Sequence, residues 1–185
     1  MSTELPGDGR LGPPAPSMDH LWAGWRHSYI TAVSEPGDTS LDPDETGSLF
    51  ERILRRPDDE AFVVHRGPTC AVVLNAYPYT CGHMLVLPNR AVPDLEQLTP
   101  DELVEMAELT RDAVKALKTA YRCEGVNVGT NLGRAGGAGV PSHLHTHVLP
   151  RWEGDSNFMT AVALTRVLPE PLDVTWRKLR DAWPA

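Results

Sequence analysis

An α+β fold, built on an antiparallel sheet of about five strands with one long helix and one or two short ones, is what the sequence predicts. Two patterns carry that expectation. Short apolar and β-branched runs joined by Gly and Pro links fall on both sides of a single long amphipathic segment, and that segment opens on a capping box. Length and composition agree, since 185 residues with 41% hydrophobic and 23% charged side chains suit one globular domain with some excess at the ends.

Residues 1–19 hold four prolines and three glycines with no hydrophobic period, so they are expected to form a disordered tail ahead of a single domain over 20–185. Aromatic residues begin with Trp22, Trp25 and Tyr29, and residues 20–44 mix them with turn formers, as in an irregular arm. Over 45–56, Leu49, Phe50, Ile53 and Leu54 recur at helical spacing before Pro57 stops the run. Residues 61–65, 69–75 and 83–88 then read as three strands of a meander. The long helix follows: Thr99 caps it, Pro100 suits its first position, Glu102 reaches back, and Leu103, Met106, Ala107, Val114, Leu117 and Tyr121 are expected to form its buried stripe. Residues 125–131 and 143–150 read as two further strands, and helical character returns weakly from Leu172.

Several function classes are excluded at this level. With 17 Lys and Arg against 25 Asp and Glu the net charge is −8, which offers a nucleic-acid duplex no cationic surface. No apolar run approaches the roughly 18 residues of a membrane helix, and the first residues lack a signal-peptide pattern, so a cytoplasmic location is expected with no membrane partner. Cys70, Cys81 and Cys123 are odd in number and widely spaced, which suits reduced thiols.

The chemically informative stretch is Ser142-His143-Leu144-His145-Thr146-His147-Val148-Leu149-Pro150. If it is a strand, its period of two puts His143, His145 and His147 on one face. Just before it lies a loop, 132–142, rich in Gly and closed by Pro141. Small residues let backbone N–H groups approach an anion, and a neutral imidazole beside them can attack phosphorus while its neighbours fix its tautomer and protonate the leaving oxygen. The combination points to nucleotidyl or phosphoryl transfer. Alternating histidines can also chelate zinc, but no nearby acidic or Cys ligand completes a motif, so no metal site is expected.

The run HLHTHVL resembles the signature of the histidine triad family, three alternating histidines followed by apolar residues, and the likeness extends over about 61–151. NAYPYTCGH, NVGTNLG and HVLPRWEGDSNFM resemble the actinobacterial diadenosine tetraphosphate phosphorylases more than the short phosphoramidases of that family. The resemblance implies roles residue by residue. His145 would be the nucleophile, His147 would meet the bridging or leaving oxygen, and His143 would orient the catalytic ring. Asn75 would bind ribose hydroxyls and Asn131 the phosphates, with Gly137, Gly139 and Ser142 of the loop beside them, and His83 would be a buried supporting histidine. Trp152 is a candidate for stacking on a base, and Arg134 and Arg151 have ordinary surface roles as their alternative. Thr146 departs from the family's aliphatic residue, and a buried hydroxyl there needs a partner. His147 stands where more distant phosphorylases carry Gln, which leaves phosphate and water both open as the second acceptor.

By the same resemblance, two subunits would join in a homodimer with a continuous sheet. The implied reaction is phosphorolysis of diadenosine tetraphosphate to ADP and ATP, with orthophosphate as acceptor. Dinucleoside polyphosphate hydrolysis and nucleoside phosphoramide cleavage keep the same site, whereas a regulatory module that only binds a mononucleotide belongs to another class. No obligatory cofactor is expected, and Mg²⁺ arriving on the polyphosphate is compatible with this chemistry.

Overall fold

The computed structural model describes residues 46–155 and 170–185; the tail over 1–19, the arm over 20–44 and the end of the HVLPRWEGDSNFM stretch lie outside the described residues. Five strands form one antiparallel sheet in the order β1-β2-β3-β5-β4. They are β1 (Val63–Arg66), β2 (Cys70–Leu74), β3 (Met84–Pro88), β4 (Gly125–Thr130) and β5 (Thr146–Arg151), with α1 (Leu49–Leu54), α2 (Pro100–Tyr121) and α3 (Leu172–Asp181) around them. The α+β expectation therefore holds.

β2 and β3 are buried at every position, because both faces of the sheet centre are covered. On one face Val72, Leu74, Met84, Val86 and Val148 pack under Met106, Leu109, Ala113, Ala116 and Leu117 of α2 and Leu179 of α3. On the other, Val73, Leu85 and Leu87 receive Phe50 from α1. Burying one Phe side chain contributes about 1.5–3 kcal/mol, so α1 is held by a substantial anchor for a helix of six residues. Arg66 fastens its other end, donating to the carbonyls of Leu54 at 2.8 Å and Arg56 at 3.1 Å. α3 is tied to β1 by Trp176, whose indole N–H donates to the Val63 carbonyl at 2.9 Å.

Several expected boundaries move, each for a physical reason. α1 is shorter than 45–56 because Ser48 caps it: its hydroxyl accepts from the Glu51 N–H, and the Glu51 carboxylate accepts from the Ser48 N–H. On α2 the buried stripe runs through Glu102, Met106, Leu109, Ala113, Ala116 and Leu117. Leu103 is 44% exposed and Ala107 is also on the solvent side, so the stripe is turned from the expected one; Ala113 and Ala116 face the sheet where bulk would hold the helix away. The largest departure is β5, which begins at Thr146 and not at His143. His143 donates its N–H to Val140 and Leu144 donates to Val92, so this segment leaves the ladder with β3, whose last paired residue on that side is Val86 opposite Thr146.

All three cysteines are buried free thiols, and burial pushes Cys70 up to about 11. The hydroxyl of Thr146 is satisfied by that of Thr130 at 2.7 Å across the β4–β5 pair.

The capping box of α2 is complete, with Thr99 accepting from the Glu102 N–H at 3.3 Å and Glu102 accepting from the Thr99 N–H at 2.7 Å. Thr99→Ala is expected to cost about 1 kcal/mol and lower the melting temperature by a few degrees, whereas Thr99→Ser keeps the cap and melts like the parent. Calorimetry on the two variants checks this.

Candidate active site

The site lies on the α1 face of the sheet, where β3 and β5 meet the turn that precedes β5. His147 is on β5 opposite Leu85, and its ring packs 5.0 Å from that of His145. Because β5 starts at Thr146, His143 and His145 are not on the strand, and strand alternation does not align the three histidines. Hydrogen bonds hold them instead.

His143 is fully buried and bonded at both ring nitrogens, with Nε2 2.8 Å from the Pro88 carbonyl and Nδ1 2.6 Å from the Ser48 hydroxyl. A carbonyl only accepts, so the proton is on Nε2; Nδ1 is then an acceptor and Ser48 donates to it. His143 in turn offers its own carbonyl to His145 Nδ1 at 2.8 Å. That places the His145 proton on Nδ1 and leaves the Nε2 lone pair, which has no hydrogen-bond partner among the described residues. The Phe50 ring lies 5.3 Å from His143 and 5.2 Å from His145, edge-on to each, and screens both from water.

A second chain sets His147. The Tyr79 N–H donates to His83 Nδ1 at 3.2 Å, so His83 carries its proton on Nε2 and donates it to His147 Nδ1 at 2.9 Å. His147 in its neutral form therefore carries a proton on Nε2. The Tyr79 ring stacks on His147 with centroids 6.0 Å apart. His83 is delivered by Gly82, whose φ of +82° suits glycine; a Cβ there would lie 2.8 Å from Leu117 Cδ2. The outcome is a pair of adjacent imidazoles of opposite polarity, His145 presenting a lone pair and His147 a proton.

The other residues singled out in the sequence take varied places. Asn75 accepts from the Tyr77 N–H at 3.0 Å and donates to His83 Nδ1 at 3.3 Å, so it braces the same chain. Asn131 donates to the Gly137 carbonyl at 3.3 Å, bracing the glycine loop, and Gly137 adopts φ +90°. Two loop amides, those of Gly137 and Ala138, are committed inside the loop to the carbonyls of Arg134 and Gly133. Gly139 is half-buried, and Ser142 and Arg134 are exposed. Trp152 packs edge-on to Tyr121 on the α2 side of the sheet, and Arg151 is paired with Asp155 and Asn127. Ser48, Phe50 and Tyr79 carry parts of the site that the sequence reading did not assign. The signal for Ser48 was present, since Ser48 and Glu51 have the spacing of a capping box. Among the described residues, no three His, Cys, Asp or Glu side chains are grouped to hold a metal ion, and no helix is long and apolar enough to cross a membrane.

Burial pushes both His143 and His145 below the ordinary imidazole value, so the neutral rings needed above are the favoured ones at neutral pH. The unfolded chain binds protons near pH 6.5 that these folded rings refuse. Their contribution to stability is therefore complete above that pH and is lost as pH falls through it. Urea melts at pH 7.5 and 5.5 are expected to show a larger loss for the parent than for His145→Asn; equal losses would show that His145 does not titrate in this way.

Comparison with known proteins agrees with this arrangement. Residues 56–154 match the HIT domain family. A protein of Mycobacterium tuberculosis named AP-4-A phosphorylase is 39% identical over 168 residues, covering 90% of this chain and 85% of the relative. A Schizosaccharomyces pombe protein named bis(5'-nucleosyl)-tetraphosphatase (asymmetrical) is 36% identical over 93 residues, half of each chain. Among solved structures, a zinc-bound histidine triad family protein of Mycobacterium smegmatis superposes with a TM-score of 0.60 at 28% identity, covering 73% of this chain and 91% of that one. The paired imidazoles, the matched domain and these relatives together make the chain a member of the HIT family and a nucleotide-processing enzyme.

Proposed function

We propose that the chain transfers a nucleotidyl group from a dinucleoside polyphosphate through a nucleotidyl-histidine, and that its reaction is phosphorolysis of diadenosine tetraphosphate to ADP and ATP. The observation that carries this is the opposed pair of tautomers, a lone pair on His145 Nε2 beside a proton on His147 Nε2. His145 Nε2 attacks the α-phosphorus and forms the N–P bond as the bond to the bridging oxygen breaks. The His147 Nε2–H donates a hydrogen bond to that oxygen as it takes up negative charge, and ATP departs as the anion with His147 unchanged. Orthophosphate then attacks the same phosphorus, the N–P bond breaks, and ADP leaves with the His145 lone pair restored. The buried setting favours the reaction because charge developing on phosphate oxygens is met by fixed donors rather than by reorienting water.

In this reading Asn131, Gly137, Gly139 and Ser142 border the phosphates, Asn75 borders the ribose and Arg134 meets the distal phosphates, whereas Trp152, packed against Tyr121 on the opposite side of the sheet, has no part in stacking on the base. Mg²⁺ carried on the polyphosphate is compatible with it. The name of the M. tuberculosis relative supports phosphate as acceptor, and that of the S. pombe relative supports water as the second reading. The homodimer belongs to the same proposal. Among the described residues β4 forms one edge of the sheet with no strand beyond it, Val128 on it is 50% exposed, and Leu132 just beyond it is 45% exposed, an edge that a second copy would extend. Sedimentation is expected to give twice the chain mass, and Val128→Lys to shift it toward a single chain.

Product analysis of diadenosine tetraphosphate turnover tests the reaction. ADP plus ATP formed only with orthophosphate present is the expected result; AMP plus ATP without it makes the enzyme a hydrolase. His145→Ala is expected to abolish the covalent nucleotidyl adduct, and turnover at the parent's rate in that variant would remove His145 from the mechanism.

A further inference from the structure

The geometry points to Ser48 as a positioning residue for the reaction: its hydroxyl donates to His143 Nδ1 and so holds the ring whose own carbonyl aims His145. The inference rests on His145 being the nucleophile, as proposed above, but it assigns a role to a residue 95 positions before His143 in the sequence and on a different element. Ser48 does two things with one oxygen. Its lone pair accepts from the Glu51 N–H at 3.2 Å and starts α1, while its proton goes to the histidine at 2.6 Å. The geometry of the helix start and that of the catalytic turn are thus fixed by the same atom.

The donor matters because of what surrounds His143. Its Nε2–H is committed to the Pro88 carbonyl on β3. From α1, Phe50 covers it with an apolar edge, and the Glu51 carboxylate favours charge on it. From its own segment, His145 opposes charge on it, and burial opposes it most. As long as Ser48 donates, Nδ1 has no lone pair to spare for a proton, and His143 stays neutral in the tautomer with its proton on Nε2. Without that donor, Nδ1 becomes a proton acceptor next to Glu51. A cation there would sit beside His145, draw electron density from it and weaken its attack on phosphorus.

Two substitutions separate this role from simple helix capping. Ser48→Asp keeps an excellent cap, since a carboxylate accepts from the first-turn N–H groups, but it has no proton to donate and favours a doubly protonated His143. Ser48→Thr keeps both cap and donor. The first readout needs no substrate: nitrogen-15 chemical shifts of the histidine rings. The parent and the Thr variant are expected to show His143 protonated at Nε2 alone at pH 7, and the Asp variant to show it protonated at both nitrogens. The second readout is kinetic, on diadenosine tetraphosphate with orthophosphate. The Asp variant is expected to lose about tenfold or more in kcat with KM within about twofold and its acid limb moved to higher pH, while Thr restores kcat. A singly protonated His143 in the Asp variant, or an Asp variant with the parent's kcat and acid limb, would overturn the inference. Should Asp unfold the chain, the same nitrogen shifts in Ser48→Ala decide, since loss of the donor must change the Nδ1 signal. If the parent turns over no dinucleotide, the reaction proposed above fails, and the ring signals still decide the role of Ser48.

Discussion

The site depends on one buried ring. His143 is bonded through Nε2 to the end of β3, through Nδ1 to the start of α1, and through its carbonyl to His145. A buried polar group left without partners carries a penalty of about 1–3 kcal/mol, so these three bonds reinforce one another: each is costly to lose while the others hold the ring in place. The ring therefore ties together three pieces of chain that no ladder connects. Its neutrality follows from the same burial, and the lone pair on His145 follows from its carbonyl.

The sheet divides the labour between its faces. The α2 face carries most of the apolar core, where α2 lies close because Ala113 and Ala116 are small. The α1 face carries the candidate site, with Val73, Leu85 and Leu87 as a dry floor and Phe50 as a cover. The larger core and the candidate site thus lie on opposite sides of the same strands. A polar constellation in the larger core would have to satisfy many more groups out of water; on the α1 side a short helix and two hydrogen-bonded turns suffice. Acidic and basic character are also separated over a few ångströms. His147 is polarised by a backbone amide acting through His83, and His145 by a carbonyl, so two chemically identical side chains are held in opposite tautomers.

The fold and the histidines of the candidate site were legible because they rest on local patterns. The capping box at Thr99 and Glu102, the buried runs of β2 and β3 and the three alternating histidines each occupy a few consecutive residues. What the pattern could not reveal was how the histidines are held. Alternation suggested a strand from His143 onward, and the side chains do converge, but Pro88 gives its carbonyl to a ring and the ladder stops at Thr146. The stripe on α2 was misplaced by a similar cause: Leu103 fits a helical period as well as Leu109 does, and only the direction of approach to the sheet decides between them. The roles of Ser48 and Phe50 were hidden by distance, because a capping box announces a helix start and says nothing of what else its hydroxyl touches.

That arrangement has a consequence for where this enzyme can be cut. The stretch that matches the HIT domain runs from residue 56 to residue 154, and α1, over Leu49–Leu54, lies wholly before it. A fragment trimmed to the matched stretch would keep His83, His143, His145 and His147 and the whole sheet. It would also lose the cover over two of the rings and the donor to one of them, leaving a wetted, unevenly protonated cluster. For this chain the described site reaches beyond the recognisable domain, to a serine and a phenylalanine that precede it.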